Sequence, residues 1–347
     1  MHRKKDTCVT YWHLHKLDLE SRSVEYLGFD TPDILYQAAF WDDNLEPVAS
    51  HCRTRPLNDI LSEVDRSTAP APAGFIFHNG YCGSTLMSRL LTQPGRTLTV
   101  REPQAITHLA DARRNLPEQW TAGLGHAPVL RQLLAEAAHP IQPGERAIMK
   151  PSNTDTILAP DIFAALPEAR ALFMYSDLED FLLSALSNGT TGVERIRRML
   201  LLFCFEVQAL SQMGPQVLLK MTDLQAATLV WRVQMERMDR LLAAFPGKIR
   251  TLRIDDFLDA PLEAARHTAR FLQPDSGLTL DESSLQGTMG RHAKHPSRPY
   301  NPQARREERQ KLRRERQRDL DPVLEWASGV SVTGPVSLDD TSTLLSA

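Results

Sequence analysis

The sequence predicts a three-layer α/β domain with a central five-stranded parallel sheet, and three observations predict it. From Gly74 onward, short apolar runs alternate with longer stretches of helical periodicity, the pattern of βαβ units. The 347 residues, 42% hydrophobic and 24% charged, suit a large globular α/β chain. The first apolar run feeds a glycine-bearing turn and then a helix opening on Ser-Thr. Parallel sheets hold ligands at such strand ends.

Residues 1–73 read as an N-terminal extension, with short strands at Val9 to Leu14 and Val24 to Leu27, a helix from Leu57 to Val64, and a stiff Pro/Ala linker from Thr68 to Ala73. The main domain, 74–300, begins with the strand Gly74 to His78 and the helix Ser84 to Leu91, whose Leu86, Met87, Leu90 and Leu91 share one face. Thr97 to Arg101 is the second strand, followed by helical stretches from Ile106 to Arg114 and from Val129 to Ala138. The third strand, Arg146 to Met149, ends at Lys150-Pro151 and leads into a helix from Thr154 to Leu166. Ala169 to Tyr175 is the fourth, and its helix, Leu178 to Leu186, stops at Asn188-Gly189. Two long helices, Gly192 to Gln212 and Asp223 to Phe245, precede the fifth strand, Lys248 to Ile254, and the helix Leu262 to Leu272. A loop rich in Arg, His and Pro runs from Gly287 to Asn301. Residues 301–347 read as an Arg/Glu helix from Gln303 to about Trp326 and a loose tail.

A formal net charge of −3, from 40 basic and 43 acidic residues, gives no field suited to nucleic acid or an anionic membrane. Four cysteines with neither a CxxC pair nor a histidine at ligand spacing argue against a disulfide framework or a zinc site. The charged start of the chain lacks the apolar segment of a secretory signal, and the longest apolar run, Leu200 to Phe205, is too short to span a bilayer. A cytoplasmic protein is expected. Only eight of the basic residues are lysine, and between Lys16 and Lys220 there is one, Lys150. An isolated lysine at a strand end, in a chain that otherwise uses arginine, points to a particular task.

The turn Asn79-Gly80-Tyr81-Cys82-Gly83-Ser84-Thr85 is an anion-site candidate, because free amides at a helix N-terminus and two hydroxyls suit phosphate oxygens. The nucleotide-triphosphatase form needs a lysine after the last glycine. Here Ser84 follows Gly83, which disfavours ATP hydrolysis. Cys82 has six residues between it and Arg89, which does not match a cysteine-phosphatase loop; Cys82 reads as a small packed residue. His108 and Trp231 read as structural, Trp231 from its place in the core-like spacing of its helix.

The order His78 to Leu91, Val100-Arg101-Glu102-Pro103, Met149-Lys150-Pro151-Ser152-Asn153 and Leu172 to Ser184 resembles the sulfotransferase superfamily, in its bacterial sulfotransferase-like branch. The resemblance covers about residues 74–300. It implies a P-loop-like domain with the 74–79 strand at the sheet centre between the third and fourth strands. It also implies transfer of a sulfonate group from 3′-phosphoadenosine 5′-phosphosulfate (PAPS) to a hydroxyl or amine, without a metal. Gly80, Tyr81, Cys82, Gly83, Ser84 and Thr85 fall on the 5′-phosphosulfate loop. Glu102 falls where tyrosylprotein-type members place a general base, and Lys150 on a lysine that steadies the leaving phosphate. Ser176 and Ser184 fall on the Arg-x7-Ser motif for the 3′-phosphate.

Two positions depart from that pattern. Tyr81 stands where a cation is expected two places before Gly83, and Ser176 stands where the motif has arginine. Serine cannot copy a bidentate, permanent charge. The basic loop around Arg291 and Lys294 offers the best candidates for replacement cations. A domain of the same fold that binds an anion without catalysis is the competing expectation, and a phosphotransferase the third. The acceptor, a small molecule or peptide, and the oligomeric state have no sequence code.

Overall fold

The computed structural model describes residues 10–64, 70–274, 280, 287–289, 302–332, 334 and 342–346. Among them eight strands are distributed over two sheets. β1 (Tyr11–Asp18), β2 (Ser23–Phe29) and β3 (His51–Pro56) form an antiparallel meander in that order. The second sheet comprises β4 (Gly74–His78), β5 (Thr97–Arg101), β6 (Arg146–Lys150), β7 (Arg170–Tyr175) and β8 (Ile249–Arg253), in the order β5-β6-β4-β7-β8. The first strand of the predicted domain thus lies between its third and fourth, as expected. β4 and β5 are buried along their whole length. Burial on both faces is why their sequences read as continuous apolar runs instead of alternating ones.

The chain divides into two compact units: residues up to Phe75 with Leu91–Ala169, and Ile76–Leu90 with Arg170 onward. In the first unit β5 pairs with β6 from Thr97↔Arg146 to Arg101↔Lys150, and β6 pairs with the start of β4 at Gly74↔Ile148 and Phe75↔Met149. The same unit holds the meander and the helices Gln104–Asn115 and Ala127–Ala137. In the second unit β7 pairs with β8 from Ala171↔Ile249 to Tyr175↔Arg253. Its helices include Ser84–Leu91 as far as Leu90, together with Leu178–Ser187, Gly189–Glu206 and Asp223–Ala244. The last of these opens on a reciprocal capping box between Thr222 and Gln225. It contributes Leu224, Ala227, Leu229, Val230 and Val233 to a core shared with Phe181, Ile196 and Phe203.

Several sequence expectations are corrected. β3 is a strand that the sequence does not announce, because His51-Cys52-Arg53-Thr54-Arg55-Pro56 is an almost wholly exposed edge with no apolar alternation to read. The 154–166 helix is a 3₁₀ turn, Asp155–Leu158, followed by the helix Ala159–Ala165. The long 192–212 helix ends at Glu206, where Val207 turns extended (φ −123°), and resumes as Gln208–Ser211. The Arg/Glu helix divides at Arg316 into Pro302–Glu315 and Gln317–Ser328. Within the tail, Thr343 bridges Thr251 of β8 and Leu344–Ser346 form a helical turn, so this part is docked and not loose. No helix among the described residues is long and apolar enough to cross a membrane.

Candidate functional site

The second unit carries the loop between β4 and the Ser84–Leu91 helix. Asn79, fully buried, grips the end of β7 from both sides. Its Nδ2 donates to the Ser176 carbonyl (3.1 Å), the Ser176 amide donates to its Oδ1 (3.2 Å), and its own amide donates to the Met174 carbonyl (3.2 Å). Trp231 adds a donation from Nε1 to the Ser176 carbonyl at 2.8 Å, a structural role that matches its expected packing place. The Gly80 amide donates to His78 Nδ1 at 3.2 Å. Gly80, Tyr81 and Gly83 all have positive φ, 87°, 56° and 76°. Gly83 is required twice over: its φ is left-handed, and an added Cβ would lie 3.2 Å from the Phe257 ring. Its carbonyl accepts the first helical bonds, from Leu86 and Met87. Ser84 and Thr85, both buried, therefore stand at a helix start, ahead of the first amide that bonds the Gly83 carbonyl. Cys82 is 1% exposed, as its packing role predicts.

The two departures from the motif have a structural context. The Tyr81 ring meets Phe181 edge-on with centroids 5.4 Å apart. Burial raises the Tyr81 phenol above its usual pKa, and the Arg195 charge opposes that rise. Arg195 thus lies within electrostatic reach of a position where a cation was expected. Ser176 is fully buried, and its hydroxyl has no hydrogen-bond partner among the described residues. Ser184 accepts a hydrogen bond at its Oγ from Arg309 Nη2 (3.2 Å), a residue of the Pro302–Glu315 helix. The same guanidinium donates to the Asp180 carboxylate and carbonyl, both at 2.6 Å. Sequence reading passed over Arg309 because its helix alternates Arg with Glu and looks solvated. No local signal separates it from Arg305, Arg306 or Arg313.

The first unit carries the two expected catalytic side chains. Lys150 ends β6 with no exposed surface, and its ammonium donates to the Glu102 carboxylate, itself 14% exposed. Glu102 follows β5 in left-handed backbone, φ 51°, a conformation that costs a non-glycine residue about 1–2 kcal/mol. Its amide bonds the Lys150 carbonyl at 2.6 Å, so backbone and side chain both tie the pair together. The Phe40 ring lies 5.8 Å from Lys150 Nζ, within cation–π range. Arg101, the last residue of β5, donates to Thr92 Oγ1 (3.1 Å), the Leu35 carbonyl (3.0 Å) and the Tyr36 carbonyl (2.7 Å). It fixes the 35–41 segment that brings Phe40 to Lys150. His108 accepts from the Leu17 amide at 3.1 Å, in keeping with a structural role. Arg291 and Lys294 lie outside the described residues.

No family model matches the sequence, and no curated protein matches it. Solved structures that it resembles include sulfotransferases. One is a sulfotransferase from Alicyclobacillus acidocaldarius, 16% identical, covering 75% of this chain and 95% of that one at a TM-score of 0.40. A second is a sulfotransferase domain from the curacin biosynthetic pathway, 14% identical over 65% of this chain and 80% of that one, TM-score 0.40. A third, sulfotransferase STF9 from Mycobacterium avium, is 12% identical over 75% and 79% of the two chains, TM-score 0.39.

A phosphate-bearing group suits the residues of the second unit. Their chemistry is a helix N-terminus, a buried Ser176 hydroxyl with no hydrogen-bond partner among the described residues, and a serine hydroxyl held by a guanidinium.

Proposed function

We propose that the chain is a cytoplasmic, PAPS-dependent sulfotransferase acting on a hydroxyl or amine of a small molecule or peptide. The observation that carries this reading is the Lys150–Glu102 pair: a fully buried ammonium that ends β6 and a carboxylate in strained backbone that directly follows β5. When bound, PAPS supplies an electrophilic sulfonate and a phosphate leaving group. Glu102 takes the proton of the attacking hydroxyl or amine. The Lys150 ammonium offsets negative charge on the departing oxygen, a contribution of about 3–4 kcal/mol in a dry site. The Gly83, Ser84 and Thr85 amides with the two hydroxyls hold the 5′-phosphosulfate. Ser184 and Arg309 take the 3′-phosphate, Arg309 standing in for the arginine absent at Ser176, with Gly80, Tyr81 and Cys82 shaping the loop and Arg195 supplying charge beside Tyr81.

A specific observation also favours binding without catalysis. Tyr81 packs against Phe181, and Arg309 already has Asp180 as its counter-ion. Calorimetric titration with 3′-phosphoadenosine 5′-phosphate, AMP and ATP, together with a sulfonate-transfer assay over an acceptor panel, decides between the readings. Binding that requires the 3′-phosphate, with turnover, is expected. The same binding with no turnover across the panel favours the binding protein, and preference for ATP with magnesium indicates a phosphotransferase.

A further inference from the structure

The meander of the first unit gathers a histidine and two carboxylates that none of the chemistry above uses. β1 and β2 lose register between Leu14, which faces Tyr26, and Lys16, which faces Glu25. His15 is therefore the extra residue of a β-bulge. Bulges re-aim side chains, and here the buried His15 ring brings Nε2 to 3.3 Å from a Glu46 carboxylate oxygen. Glu46 comes from the 3₁₀ turn Asp43–Val48, and Glu25 from β2. One donor atom from each of His15, Glu25 and Glu46 lies within 4.8 Å of the other two. Glu25 and Glu46 also line a surface cavity of about 320 Å³, with His51 and Cys52 on its wall.

We propose that His15, Glu25 and Glu46 bind a divalent transition-metal ion of the zinc class, with a fourth position open toward that cavity. The donor set suits such an ion, since one imidazole and two carboxylates combine borderline and hard ligands and their two negative charges balance the metal's. Ligand atoms around a tetrahedral ion with bonds of ~2.0–2.1 Å stand about 3.3 Å apart. A set within 4.8 Å closes by at most about 1.5 Å, which rotation of the partly exposed glutamates supplies. The ion would join β1, β2 and the 43–48 turn.

The competing account is a plain ion-pair cluster, because Lys16 Nζ already contacts Glu46. The two accounts differ over Lys16, which the metal must displace. The test is calorimetric titration of the full chain with Zn²⁺ at pH 7. One ion per chain is expected, with affinity at least tenfold weaker in Glu25→Gln and His15→Gln and at least threefold tighter in Lys16→Met. Asp30→Asn, which breaks the neighbouring pair with His51, should bind as the parent does. Should the buried His15→Gln variant fail to fold by circular dichroism, Glu25→Gln and Lys16→Met carry the decision. An absence of saturable binding, or affinity unchanged in Glu25→Gln or in Lys16→Met, would overturn the proposal.

Discussion

Lys150→Met removes the ammonium from a fully buried position and leaves the Glu102 carboxylate, 14% exposed, without its counter-charge. In direct contact, an effective dielectric of about 20 gives the pair roughly 4–5 kcal/mol of attraction. Breaking a buried pair from one side costs about 3–5 kcal/mol, and the solvent access that Glu102 keeps places this variant at the lower end, near ~3 kcal/mol. Glu102→Gln combined with Lys150→Met removes both charges and should recover at least ~1 kcal/mol of that loss. The catalytic effect does not recover. Loss of charge stabilisation at the leaving oxygen, about 3–4 kcal/mol, lowers transfer by roughly 10²–10³-fold in either variant. Urea unfolding reads the stability, and single-turnover sulfonate transfer reads the chemistry. Full transfer activity in Lys150→Met would refute the assigned role, and a double variant less stable than the single one would refute the account of the pair as coupled charges.

Three further outcomes follow from the same structure. Gly83→Ala puts a Cβ at φ +76° and 3.2 Å from the Phe257 ring; it should destabilise by about 1–2 kcal/mol in thermal unfolding and weaken 3′-phosphoadenosine 5′-phosphate binding in calorimetry. Arg309→Ala should weaken that nucleotide about 10–100-fold, the value of a charge-assisted bond, while AMP binding stays unchanged; equal losses for both ligands would assign Arg309 to folding alone. Asp155 is buried, and that desolvation pushes its carboxyl up to about 7 against the opposing Arg114 charge and the hydrogen bonds of Thr107 and Thr154. Its folded pKa lies above the unfolded one, so its contribution is complete below about pH 4 and is lost as pH rises to about 7. Asp155→Asn should therefore gain on the parent by about 4 kcal/mol across that window, and a constant difference in urea midpoints from pH 4 to 7 would contradict it.

Much of the parallel sheet was legible in the sequence because burial on both faces leaves a one-dimensional trace. Phe75, Ile76 and Phe77, or Leu172, Phe173 and Met174, need no partner strand to be recognised. The loop at Gly83 was legible for a related reason, since a left-handed turn into a helix restricts residue types locally. β3 left no such trace, because an exposed edge strand takes its structure from pairing with β2 and not from its own polar residues. The helix breaks at Val207 and Arg316 were equally hidden, as neither residue is a strong helix breaker by itself.

The sequence by itself determined the apolar strands of the parallel sheet, the glycine-bearing anion loop, and the isolation of Lys150 among arginines. Each depends on local constraints of backbone and burial that neighbouring residues express directly. Tertiary structure alone decided which arginine reaches Ser184, 125 residues away in the chain, and which carboxylate receives Lys150. It alone also brought His15 to Glu46 through a bulge. Charge partnership is a property of distance in space, and a chain rich in Arg, Asp and Glu offers many equivalent candidates until packing brings a particular pair together.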